Sequence, residues 1–196
     1  MFSKMKEYTI SGRQANLYGL LFVLPVLLLA GIPYILIWCE TGSGWQHSVF
    51  SIIHRNNTVI LQAVDAKWWL LLLLLSGIMV HELIHGICMA VSARNGWKSV
   101  SFGFNWKAFA PYAHCKEPLT PCAYRFCLVM PGFLLGDVPL LISWITGNIL
   151  FLFFGILFCW AASGDAIVLW LSRNITDGMM QDHPDKVGFI HVERSN

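Results

Sequence analysis

Long apolar runs alternate with short polar ones along this chain. Residues 18–39, 68–93, 123–145 and 149–171 are almost wholly hydrophobic. A helix needs about 20 apolar residues to cross the hydrocarbon core of a bilayer, so each run predicts a transmembrane helix. The first is too long for a secretion signal and lacks a small-residue cleavage site, which predicts a retained helix. Between the second and third runs the period changes. Val100, Phe102, Phe104 and Trp106 alternate with Ser99, Ser101, Gly103, Asn105 and Lys107. Period two predicts a strand, and Pro111, Pro118 and Pro121 bound a strand or hairpin at the membrane interface. Pro131, Gly132, Gly136 and Pro139 predict a kinked or locally unwound third helix. The polar segments 40–66, with His47 and His54, and 173–196, with Asp182-His183-Pro184-Asp185, are expected to be a solvated loop and a solvated tail. The predicted class is an all-α membrane protein. Residues 1–196 form one domain of four transmembrane helices, with a short β-strand or hairpin between helices two and three.

Composition agrees with the pattern. Of 196 residues, 56% are hydrophobic and 12% charged, against about 25% charged in soluble domains. A net charge of +2 gives no basis for binding nucleic acid. The distribution of charge says more. Eleven of the thirteen Lys and Arg residues lie before the first run, between the second and third or at the start of the third, or after the fourth. Only Arg55 and Lys67 lie on the other side. The positive-inside rule then puts both termini in the cytoplasm and makes helices two and four run from outside to inside. None of the six cysteines has C-x-x-C spacing, so neither a disulfide framework nor a cysteine zinc site is expected.

The second run carries the chemistry. His81-Glu82-Leu83-Ile84-His85 spells H-E-x-x-H within it. Chance yields this pattern roughly once in two hundred chains of this composition, and ionisable groups at membrane depth are costly unless they serve a function. Residues four apart share a helix face, so His81 and His85 can reach one ion. Glu82 points about 100° round the helix, beside that ion. There it can act as general base toward a water that the ion activates. Zinc suits this donor set, and a catalytic zinc takes three protein ligands. Candidates for the third are Asp165, Asp137, His114 and Glu117. His85 lies nine residues before Arg94, and Asp165 eight before Arg173. Both are then roughly 12–13 Å deep on parallel helices, which favours Asp165. The small residues of Ala161-Ala162-Ser163-Gly164-Asp165-Ala166, facing Gly77 and Gly86, are expected to let the two helices approach closely. Asp137 lies deeper and is a poorer match. His114, Asp137 and Asn105 remain as candidates for supporting or substrate-binding roles.

These residues resemble those of a family of bacterial membrane proteins, the putative zincin peptidases, formerly a domain of unknown function. The resemblance rests on His81-Glu82-x-x-His85-Gly86, the Pro131-Gly132 helix, Ser163-Gly164-Asp165 and the Asp182-His183-Pro184 tail. The arrangement is also similar to the core of site-2 intramembrane metalloproteases, in which an aspartate on a later helix completes the H-E-x-x-H site. The resemblance implies His81, His85 and Asp165 as zinc ligands and Glu82 as catalytic base. It implies a multi-pass protein of the bacterial cytoplasmic membrane whose substrate is a membrane-associated protein or peptide. Where the site-2 enzymes carry Asn-Pro-Asp-Gly, this chain has Ser163-Gly164-Asp165-Ala166, which implies a less broken fourth helix. The rival reading is a non-catalytic scaffold that keeps a structural metal, or a metal-ion carrier. A carrier needs polar groups along a whole path, whereas the chain has one polar cluster.

Overall fold

A computed structural model describes residues 5–38, 58–106, 110–183 and 186–193. The chain is mostly helical, with two small antiparallel sheets. Strand β1 (Met5–Ile10) leads into helix α1 (Gly12–Trp38). Ser11 starts that helix with a capping box: the Ser11 backbone N–H donates to Gln14 Oε1 at 3.1 Å, and the Gln14 N–H to Ser11 Oγ at 3.3 Å. Helix α2 (Thr58–Ser92) follows, then a 3₁₀ turn (Gly96–Ser99) and the hairpin β2 (Val100–Asn105) and β3 (Ala110–Cys115). The period-two expectation for this segment holds.

The third apolar run is one long span in three pieces. Helix α3 (Pro121–Gly132) passes into a π-helical turn (Phe133–Asp137) and then α4 (Val138–Thr146). Thr120 caps its start, with Pro121 at the first helical position, where a missing N–H costs nothing. The expected irregularity beyond Pro131 is present as a widened turn; the chain does not unwind. Gly147, at φ 69°, ends α4 in the left-handed conformation that favours glycine, and Asn148 caps α5 (Ile149–Ala161). Helix α6 (Ser163–Ser172) follows after a break at Ala162, and the two axes differ by 46°. The fourth run is therefore sharply broken, contrary to the expectation from its sequence. Three helices, Gly12–Trp38, Leu71–Ser92 and Pro121–Thr146, are long and apolar enough to cross a membrane, and the bent pair makes a fourth if counted as one span.

The tail overturns the all-α expectation. Strands β4 (Met179–Asp182) and β5 (Val187–Val192) form a sheet with β1 in the order β1-β5-β4. Met5 pairs with Val192 and Ile10 with Val187. Inside this sheet Phe189 and Met180 are fully buried. Tyr8 stacks on Phe189 at 5.2 Å between ring centroids, and Tyr124 of α3 meets the same ring at 5.8 Å. Backbone bonds between Leu119 and Met180, 2.7 and 2.8 Å, tie the sheet to the segment after β3. Gly188 is required where it stands, since a Cβ there would lie 2.0 Å from the Tyr8 carbonyl oxygen. The polar loop expected over 40–66 is shorter than that, because α2 already runs from Thr58. His47 and His54 lie outside the described residues.

Tryptophans fasten the far end of the bundle. The Trp38 Nε1–H donates to the Trp144 carbonyl at 3.0 Å, the Trp144 Nε1–H to the Ala30 carbonyl at 3.0 Å, and the Tyr34 hydroxyl to the Gly147 carbonyl at 2.6 Å. At the other end the Arg125 guanidinium donates to the carbonyls of Ser172 and Ile175, which caps the last turn of α6.

Candidate metal centre

Helix α2 carries His81, Glu82 and His85 on adjoining faces, and the first turn of α6 carries Asp165. The break at Ala162 starts a new helix three residues before that aspartate. Asp165 Oδ2 lies 3.1 Å from His81 Nε2, and Asp165 Oδ1 lies 3.4 Å from His85 Nε2. Both imidazoles are buried, and one ligand atom from each of the three residues falls within 4.8 Å of the others. Zinc bonds of about 2.0–2.1 Å in a tetrahedron place ligand atoms roughly 3.3 Å apart. A charge-assisted hydrogen bond would be shorter, about 2.7–2.9 Å. The spacing therefore fits three donors around one ion. The chemistry fits as well, since two imidazole nitrogens and one carboxylate oxygen form a common set for catalytic zinc. The remaining nitrogens, Nδ1 of His81 and of His85, are buried with no hydrogen-bond partner among the described residues.

Glu82 faces the same space from beside the cluster. Its Oε2 accepts the Ala113 backbone N–H of β3 at 2.8 Å. The Lys116 N–H bonds to the Ser99 carbonyl, so the pairing of Ala113 with Phe102 is a non-hydrogen-bonded one. The Ala113 N–H thus points away from β2, toward α2. His81, Glu82, His85, Asp165, Ala113, Gly164 and Asp182 share a cavity of about 260 Å³.

Asp182 was hidden in a tail expected to be solvated. It ends β4 inside the cavity wall, where its Oδ1 accepts the Tyr124 hydroxyl at 2.6 Å. His114 Nδ1 stands 3.9 Å from its Oδ2. Burial pushes the Asp182 carboxyl above the ordinary aspartate range, against the opposing pull of Tyr124 and His114. The one sequence signal was Val187, Phe189, Ile190 and Val192, a run rich in strand-forming residues.

The other candidates separate. Glu117 accepts from the Arg94 backbone N–H at 3.0 Å, from Ser99 Oγ at 2.7 Å and from the Asn95 amide. It closes the turn between α2 and the hairpin and is not among the clustered donors. Asn105 is exposed at the far end of the hairpin, paired with Ala110. Asp137 stands on the π-turn beside Cys159 Sγ, 3.6 Å away, and lines a different cavity. The small residues also act elsewhere than expected. A Cβ on Gly77 would lie 2.2 Å from the Phe158 ring, and one on Gly86 2.2 Å from the Phe102 ring. Gly86 seats the hairpin on α2, while α6 packs against α1 and α3. Asp165 therefore reaches His81 and His85 across the cavity without close packing of α6 on α2.

Comparison with curated proteins and with solved structures finds no match. Comparison with family models finds one, described as "Putative zincin peptidase", over residues 73–179. That stretch is more than half of the chain and runs from the histidine helix to the start of β4. The chain belongs to the putative zincin peptidase family.

Proposed function

We propose that this protein is a zinc-dependent membrane metallopeptidase that cleaves a membrane-associated protein in the cytoplasmic half of the bilayer. The observation that carries the reading is the convergence of His81, His85 and Asp165 at ligand spacing, with the Glu82 carboxylate beside them in one cavity. His81, His85 and Asp165 would hold the ion. Bound zinc supplies Lewis-acid chemistry, polarising a carbonyl and making water more acidic. Glu82 takes the proton from the attacking water and delivers it to the leaving amine. The N–H of Ala113 lies on the edge of β3 that faces the cavity. An extended substrate laid along this edge by strand addition would take up that N–H and bring its backbone to Glu82. The distribution of Lys and Arg supports a cytoplasmic side for this end of α2 and α6.

Glu82→Gln tests the reading. The purified variant is expected to retain stoichiometric zinc while turnover of a bound membrane substrate falls by at least about 10²-fold, the low end for a general base. His81→Ala is expected to lose the metal. Wild-type protein that holds no stoichiometric zinc, with His81→Ala making no difference, overturns it. A scaffold with a structural metal would keep its biological role in Glu82→Gln, and a carrier would move zinc into liposomes.

A further inference from the structure

The second cavity, about 350 Å³, meets α6 at Ala166 and Leu169, whereas the metal centre meets it at Gly164 and Asp165. Helices α1, α3, α4 and α6 wall it with Phe22, Leu29, Val129, Phe133, Trp144 and Ala166. Asp137 is the single charged residue among the described ones that line it. This carboxylate stands nine residues inside the Thr146 end of the third span, roughly 13 Å deep at helical rise. Its side chain is exposed, and among the described residues its one hydrogen-bond partner is the weak thiol of Cys159. Ionisable groups in a bilayer are expensive and usually meet a polar partner or a wet cavity. This one projects into an apolar groove. The π-turn that presents it is a device frequent at functional sites. Gly136, packed against Cys159 with no room for a Cβ, fixes the turn in place.

We infer that this groove docks a transmembrane helix of another protein, one that carries a hydrogen-bond-donating side chain such as asparagine at the depth of Asp137. Apolar ridges of the partner fill the groove, and its donor satisfies the Asp137 carboxylate. Hydrogen bonds of this type hold helices together where lipid offers no hydrophobic drive. Leu128 lines both cavities, so a helix seated here lies next to the metal centre. That the docked helix belongs to the substrate rests on the metallopeptidase reading; the docking itself does not.

The test uses the purified protein in liposomes and a labelled polyleucine helix bearing one asparagine, placed in turn at successive depths. Binding is read by energy transfer at helix densities too low for self-association. The asparagine helix of matching depth is expected to bind roughly 3–30-fold more tightly than the all-leucine helix, the weight of one interhelical hydrogen bond. Asp137→Leu should remove the difference, and Asp137→Asn, which keeps an acceptor, should retain it. Val129→Trp, which fills the groove and leaves Asp137 untouched, should weaken both helices. Circular dichroism and thermal unfolding report whether each variant keeps its fold. Glu82→Gln should bind as wild type does, which separates docking from cleavage. Equal affinity of the two helices at every depth means that lipid chains fill the groove, and overturns the inference. So does an asparagine preference that survives Asp137→Leu, or binding unchanged by Val129→Trp.

Discussion

Asp165 gathers the candidate metal centre, because its carboxylate lies 3.1 Å from His81 and 3.4 Å from His85. Asp165→Ala should weaken zinc binding by more than the roughly 10–100-fold typical of losing a supporting group. Competition with a chelator of known affinity measures it. Glu117 acts on the same site from a distance, by holding the turn that joins the histidine helix to the hairpin. Its carboxyl is held below the ordinary glutamate range, first by the Ser99 hydroxyl and then by Asn95. A depressed carboxyl stabilises the fold above its unfolded pKa, about 4.3, and that contribution is lost as pH falls through the lower folded value. Glu117→Gln should therefore flatten the acid limb of the unfolding curve and leave neutral pH much less affected. Unfolding followed from pH 6 down to pH 2 checks this. At this scale His81, Glu82, His85 and Asp165 were legible, because a fixed spacing on one helix and an equal depth on another need no knowledge of the loops. Asp182 was not legible, since its position depends on a strand pairing that no local pattern announces.

Among the elements, the long apolar helices were readable because unbroken apolar runs of that length are their own signal. The hairpin was readable because its period differs from theirs. The bend in the fourth run was not. It falls at Ala162, within a run of small residues without proline, and those residues read equally well as packing surface. The hairpin and α2 meet through Gly86, whose missing Cβ admits the Phe102 ring. Gly86→Ala should push β2 and β3 off the helix and stretch the bond from Ala113 to Glu82. Overpacking of this kind costs about 1–3 kcal/mol. Amide exchange at Ala113 should then quicken by roughly ten- to a hundredfold, which hydrogen-exchange mass spectrometry can read. Unchanged protection at Ala113 would mean that Phe102, half exposed as it is, swings away without moving the strand.

For the molecule as a whole, the terminal sheet is the feature that sequence order concealed. Met5 and Val192 pair across nearly the full length of the chain, and no local pattern joins two strands so far apart. Removing β1 takes away none of the described side chains of the cavity. It should nevertheless unpair β5, loosen β4 and shift Asp182, with a lower melting temperature and a fall in turnover while zinc is retained. Lys186 and His183 reach Glu7 across the same sheet, at 3.1 and 3.4 Å; the Lys186 pair is exposed and of small weight, whereas the His183 ring is buried. The consequence concerns the order of synthesis. A growing chain makes β1 first among these elements and must wait for β5, the last, to give that strand its neighbour. A nascent chain with its four apolar runs already made still lacks the strand that carries Asp182. The cavity is thus walled in only after β4 and β5 have been made, and a chain that lacks them keeps an open, unfinished centre.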